Sequence, residues 1–215
     1  MTLYLTGDPA ADRLLEDDPF ALLVGMVLDQ QVPMERAFSA PKELRERLGG
    51  RLDAGQVAAM APDDLAVAFS AKPALHRFPA AMAERVQAVA KLLVERYGGD
   101  AAAVWTTAAD GAELLANLRS LPGFGEQKAK IFLALLGKRL GVRPPGWERA
   151  AGPYGEKGSF VSVADIDGVE ALNRVREHKR QMKAAAKSVA GAADAPGPQR
   201  RAAASAATAG RAKRR

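Results

Sequence analysis

Leu121-Pro122-Gly123-Phe124-Gly125-Glu126-Gln127-Lys128-Ala129-Lys130 is the stretch on which the reading of this chain turns. A helical segment, Gly111 to Arg119, precedes it. A second, from about Glu126 to Leu140, follows with Ile131, Phe132, Leu135 and Leu136 on its buried face. Gly123 and Gly125 allow positive φ and leave no Cβ in the way of an approaching group. Unbonded N–H groups at the start of the second helix point outward and favour an anion. Leu121 and Phe124 are placed to anchor the turn to a core, and Lys128 and Lys130 add positive charge beside it. This hairpin, residues 119–130, predicts a grip on phosphate that does not read base sequence.

Upstream, Pro19 to Gln31 is apolar almost all round, through Phe20, Ala21, Leu22, Leu23, Val24, Met26, Val27 and Leu28. A helix with no polar face belongs in the middle of a helical assembly. It closes on Asp29-Gln30-Gln31-Val32-Pro33, where Pro33 disfavours helical geometry in the residue before it. The next helix, from about Pro33 to Leu48, is expected to break at Pro41. Asp53 and Pro62-Asp63-Asp64 predict the starts of two short helices. After Pro79, Met82, Val86, Val89, Ala90, Leu93, Val94 and Tyr97 recur at helical spacing until Gly98-Gly99. Phe160 to Val163 is the one short strand candidate, so the expected fold class is all-α.

The 215 residues suffice for one substantial domain or two small lobes. Lys and Arg outnumber Asp and Glu by 31 to 25, for a net charge of +6. The first twenty residues are acidic (Asp8, Asp12, Glu16, Asp17, Asp18), whereas the stretch after Arg174 is strongly basic. Such asymmetry suits a polyanion partner better than the total charge does. With no cysteine, a disulfide, a thiolate zinc site and a cysteine-bound iron–sulfur cluster are all excluded. His76 and His178 are the two histidines, too few for a His-rich metal site. No apolar run reaches the roughly 20 residues that span a bilayer, and no signal peptide is visible, so a cytoplasmic protein is expected. The high Ala, Arg and Gly content fits a GC-rich bacterial genome.

The run from Leu121 to Ala129 resembles the helix-hairpin-helix of the HhH-GPD superfamily of DNA glycosylases, which includes endonuclease III, the mismatch adenine glycosylases and the alkylpurine glycosylases. The ending Leu28-Asp29-Gln30-Gln31-Val32 resembles the family's other landmark, a helix terminus whose Gln enters the gap left by a flipped base. The match puts that role on Gln31. Two landmarks in family order are more specific than the hairpin alone, which also occurs in ligases, polymerases and nucleotide-excision proteins. The resemblance covers roughly residues 19–140. It implies a two-lobed helical glycosylase fold over residues 1–187, with Gln31, Leu121, Gly123, Phe124, Gly125, Gln127, Lys128 and Lys130 at the DNA. It also implies a monomer acting on duplex DNA with a damaged or mismatched base, among the DNA of the nucleoid. No cofactor is required, although the hairpin carbonyls of such proteins often hold a monovalent K⁺ or Na⁺.

The departures bear on chemistry. Bifunctional members carry a Lys nucleophile where this chain has Gln127, and an amide forms no Schiff base. Lys128 is next, but one residue along a helix turns it about 100° away. Monofunctional members use an Asp whose slot falls near Pro144-Pro145-Gly146-Trp147-Glu148, where no Asp stands. Asp165 and Asp167 follow a Gly-rich insertion and precede a helix, so each is either the displaced acid or an N-cap. Asp29 opposes the dipole at its helix end and either faces a base pocket or is solvated. Glu148 is nearest the expected slot, with pairing to a neighbouring Arg as the alternative.

Trp105 and Trp147 suit core packing, with base stacking as the alternative. His76 is read as an ordinary hydrogen-bonded residue with lesion contact as the alternative, and Lys72 and Arg77 meet phosphate or water. Val169 to Lys187 predicts a helix bearing Arg174, Arg176, Lys179, Arg180, Lys183 and Lys187, read as a basic stripe for DNA with a solvated helix as the alternative. Residues 188–215 are poor in bulky apolar side chains and are expected to form a disordered basic tail.

Three functional readings follow. The first is a DNA N-glycosylase, a hydrolase of base excision repair without lyase activity, using one of Asp165, Asp167, Asp29 or Glu148 as its acid. The second is a non-catalytic reader of damaged duplex, motivated by the missing Asp and Lys. The third, a nuclease or ligase accessory module, leaves Gln31 unexplained.

Overall fold

The computed structural model of the chain describes residues 3–193, and among those residues there are eleven α-helices and no strand. The helices are α1 (Pro9–Asp17), α2 (Pro19–Leu28), α3 (Met34–Arg47), α4 (Ala54–Ala59), α5 (Pro62–Ser70) and α6 (Pro79–Tyr97). They continue with α7 (Ala103–Thr106), α8 (Gly111–Arg119), α9 (Glu126–Arg139), α10 (Trp147–Ala151) and α11 (Val169–Ala193). Short 3-10 turns at Gly152–Tyr154 and Val163–Asp165 lie between α10 and α11. The chain through Val175 forms one unit, and α11 from Arg176 onward belongs to a second. No helix among the described residues is long and apolar enough to cross a membrane.

The first unit is built round α2 because that helix has no polar side to turn outward. Asp18 caps its start, accepting from the N–H of Phe20 at 2.9 Å and of Ala21 at 3.0 Å, which satisfies two of the unbonded donors there. Every residue from Phe20 to Leu28 is buried. Gly25 lets the ring of Phe38 lie on the α2 backbone, where an added Cβ would come within 2.7 Å of it. α1, α3 and α6 pack on α2, while α8, α10 and the Val163–Asp165 turn pack on α9. Trp105 is 7% exposed and meets Phe132 of α9 edge-on at 5.9 Å, so its role is packing.

Two local expectations are corrected. α3 runs unbroken through Pro41. The proline removes a donor that the Ala37 carbonyl would have used. Burial of Ala37, Phe38, Ala40, Pro41 and Leu44 along one side of the helix outweighs that loss. Phe160 to Val163 is not a strand: Ser162 caps the 3-10 turn, and Asp165 accepts from the N–H of Val161 and Ser162, each at 3.0 Å. These local bonds leave the segment no need for a ladder partner.

α11 begins as expected at Val169 but continues to Ala193, into the stretch expected to be tail. Residues 194–215, the remainder of that expected basic tail, lie outside the described residues.

Candidate nucleic-acid interface

The hairpin between α8 and α9 forms as its residues dictate. Leu121 and Phe124 are buried at 2% and 4% exposure. The Phe124 N–H closes the turn on the Leu121 carbonyl at 3.0 Å. Pro122 occupies the second position and Gly123 the third with φ +84°, the left-handed conformation that a Pro-Gly turn requires. Phe124 meets Phe132 edge-on at 5.8 Å and so ties the turn to α9. Gly125 differs from expectation: its φ is −70° with ψ 171°, an extended conformation open to any residue. What Gly125 supplies is space, since an added Cβ would meet nothing within 4 Å. No side chain caps the start of α9, so its first N–H groups face outward with the positive end of the helix dipole behind them.

The second landmark adjoins the first. Past the end of α2, Gln31 is exposed and has φ +57°, the one positive-φ residue other than glycine among the described residues. That conformation costs about 1–2 kcal/mol for an L-residue and persists only where the surroundings impose it. Gln30 is the residue through which they do so. Its Nε2 donates to the Val27 carbonyl at 2.7 Å and to the Met82 sulfur at 3.2 Å. Its Oε1 accepts from Arg85 Nη1 at 2.8 Å. Its backbone carbonyl lies 2.9 Å from His76 Nε2. Because His76 Nδ1 accepts from the Phe78 N–H at 3.0 Å, the Nε2 is assigned the hydrogen and donates it to Gln30. His76, 3% exposed, is thus a hydrogen-bonded interior residue that holds the turn before Gln31.

Arg85, on α6, lies between the landmarks. Its stem passes so close to Gly123 that a Cβ there would stand 2.6 Å from Arg85 Cδ. Gly123 is therefore required twice, for its φ and for this approach.

The two hairpin lysines, expected to add charge beside the turn, have different partners. Lys128 is turned inward, donating to the carbonyls of Met26 at 2.6 Å and Val27 at 3.1 Å. It supplies a cation to the negative end of α2. Burial pushes its amine down to about 8, with the Asp29 carboxylate opposing the shift and Arg85 adding to it. Lys130 pairs with Glu126 at 2.8 Å, and Arg119 approaches the same carboxylate at 3.5 Å. These cations hold Glu126 below the usual carboxylate range.

The four candidate acids fall in two places. Asp29 stands at the end of α2, near enough to Lys128 to act on its charge. Glu148, Asp165 and Asp167 line a cavity of about 420 Å³ that also includes Lys138, Arg143 and Trp147. Lys138 belongs to the last turn of α9, some 16 Å along the helix from Gln127 by the rise per residue. Asp165 is fully engaged: one oxygen takes Lys138 at 2.6 Å and Ser159 at 2.9 Å, and the other takes two backbone N–H groups. It is the N3 acid of a capping box whose N-cap is Ser162, and not itself the N-cap. Trp147 packs its ring against Gly137.

Gln127, at the slot of the family's nucleophilic lysine, donates from Nε2 to the Tyr154 hydroxyl at 3.0 Å. Arg85, Gln30 and Tyr154 were not legible as site residues. Arg85 falls between the apolar positions of α6, and Tyr154 sits in an irregular Gly-rich insertion. Arg174, expected on a DNA stripe, lies over the Phe160 ring at 3.6 Å, and Arg180 approaches Glu177 at 3.6 Å.

A family model described as HhH-GPD superfamily base excision DNA repair protein matches residues 24–191. No curated protein and no solved structure matches the chain.

Proposed function

The chain belongs to the HhH-GPD superfamily of base excision DNA repair proteins, and from that premise we propose that it is a monofunctional DNA glycosylase. It grips duplex DNA at the hairpin, enters the stack with Gln31 and excises a damaged or mismatched base. The observation that carries this reading is the joining of hairpin and wedge by Arg85, which touches Gly123 and bonds Gln30. A phosphate held at the start of α9 then lies beside the gap from which the nucleotide turns out.

Asp29 is the acid that acts. It is the one candidate beside the hairpin lysine, whereas the cavity acids lie toward the far end of α9. The C1′–N bond breaks as cationic character grows on the sugar, and the carboxylate stabilises that charge and orients water. Water oxygen adds to C1′ and the base departs with a proton. Gln127 offers no amine, so no lyase step runs through it. A K⁺ or Na⁺ at the turn would be held by backbone carbonyls such as that of Leu121, which keeps a second lone pair after accepting one hydrogen bond, and would add charge beside the phosphate.

Base release from duplexes that each carry one lesion tests this reading. The panel is uracil, hypoxanthine, 8-oxoguanine opposite adenine, 3-methyladenine and a thymine–guanine mismatch, with hot alkali cleaving the abasic product. Asp29→Asn is expected to abolish release, and Glu148→Gln and Asp167→Asn to retain it. Release undiminished by Asp29→Asn would remove Asp29 from the chemistry. The bond between Gln127 and Tyr154 favours a second reading, a non-catalytic lesion reader, because it occupies the slot where the family's nucleophile stands. That reading predicts tight lesion binding with no release from any duplex.

A further inference from the structure

Arg85 is the side chain in which the wedge and the hairpin meet, and no sequence motif marks it. Its guanidinium has five N–H donors, of which one is given to the Gln30 amide oxygen at 2.8 Å. That partner is neutral, so the bond fixes the fork without cancelling its charge. No carboxylate forms an ion pair with Arg85 among the described residues. The side chain is half-buried, and its stem lies against Gly123, the left-handed residue of the phosphate turn. A guanidinium oriented by one bond to a neutral partner, with its stem and Nε against the Gly123 turn, has the form of a phosphate fork. The neighbouring hairpin lysine does not take this role, because Lys128 is committed to the α2 carbonyls.

We propose that Arg85 binds the DNA phosphate gripped by the hairpin and, through Gln30, holds the turn that presents Gln31. The inference rests on the DNA-binding reading above and deepens it. One side chain then couples the backbone grip to the wedge. Phosphate engaged by the fork fixes the guanidinium, which fixes Gln30, which keeps Gln31 in its left-handed pose.

The test uses the full-length chain and a duplex bearing a tetrahydrofuran abasic analogue, with binding followed by anisotropy over a KCl series. A 2-aminopurine next to the site reports unstacking. Arg85→Met is expected to weaken binding about tenfold and to reduce the slope of log K against log salt by about 0.9, the loss of one phosphate contact. The 2-aminopurine signal should fall with it. Arg85→Lys retains the charge but not the fork, so the slope should hold while the unstacking signal drops. A folded Arg85→Met, shown by an unshifted thermal melt, with an unchanged salt slope would overturn the proposal. If Arg85→Met does not fold, Arg85→Lys decides: an unstacking signal equal to that of the unaltered protein overturns it. Gly125→Asp separates this failure from that of the wider reading, since an acid placed in that open space must repel phosphate. Unaltered affinity in Gly125→Asp would remove the hairpin's DNA role altogether, and the role of Arg85 with it.

Discussion

The Nζ of Lys128 lies 2.6 Å from the carbonyl oxygen of Met26, a residue 102 positions earlier in the chain. A second bond runs to Val27 at 3.1 Å. The two carbonyls belong to the last turn of α2, where helical acceptors have no donor of their own and the dipole is negative. The ammonium of α9 therefore closes the end of α2.

This placement has a titration signature. Burial holds the Lys128 amine at about 8, below the ordinary 10.5. Below about pH 8 both folded and unfolded chains keep the proton. Between that value and 10.5 the folded chain has released it and the unfolded chain has not, so stability rises with pH across this window. Reductively ¹³C-methylated protein should show one lysine resonance titrating near 8, missing in Lys128→Met. A full set of lysines titrating in the ordinary range would contradict the inward placement.

Gln31→Gly separates stability from function. Glycine adopts φ +57° without strain, so the variant should be as stable as the parent or up to about 1 kcal/mol more so by urea unfolding. Discrimination of an abasic duplex over an intact one should fall because no side chain remains to enter the stack. A variant that kept this discrimination would take the wedge role from Gln31.

Asp165→Ala should act on stability. The carboxylate side chain is 2% exposed and its Lys138 partner 15%, and removal takes the counter-charge from an ammonium and the acceptor from two backbone N–H groups. Breaking such a pair costs about 3–5 kcal/mol. Duplex affinity per folded molecule should survive. Normal stability combined with lost base release would instead make Asp165 the catalytic acid.

Gly111→Ala is expected to displace α10. A Cβ there would stand 2.6 Å from Trp147 Cα and 2.7 Å from its backbone N, atoms that cannot swing aside, in a contact closed by the Gly111 N–H on the Pro145 carbonyl at 2.9 Å. The cost should be about 1–3 kcal/mol. Gly125→Ala, with open space and an ordinary φ, should change stability by less than about 0.5 kcal/mol. Equal effects of the two substitutions would refute the close approach of α8 and α10.

Much of the fold follows from short-range chemistry. Pro122-Gly123 specifies its turn, Asp18-Pro19 starts α2, and an all-apolar α2 has no stable place except the interior. Leu121 and Phe124 are legible as anchors because a turn between two helices needs apolar residues on its inner side. The continuous α3 was misread because the cost of Pro41 is local whereas the burial that outweighs it is not.

The candidate site divides along the same line. The hairpin and the wedge position are each written within ten residues, since φ preferences, caps and helical period act over one or two turns. Packing alone decided that Lys128 points to Met26, that Arg85 bonds Gln30 across 55 positions, and that Tyr154 reaches Gln127 across 27. A helical period states which face a side chain occupies but not which helix lies opposite. The partner, and with it the charge, the burial and the function of the group, is set by how the helices assemble.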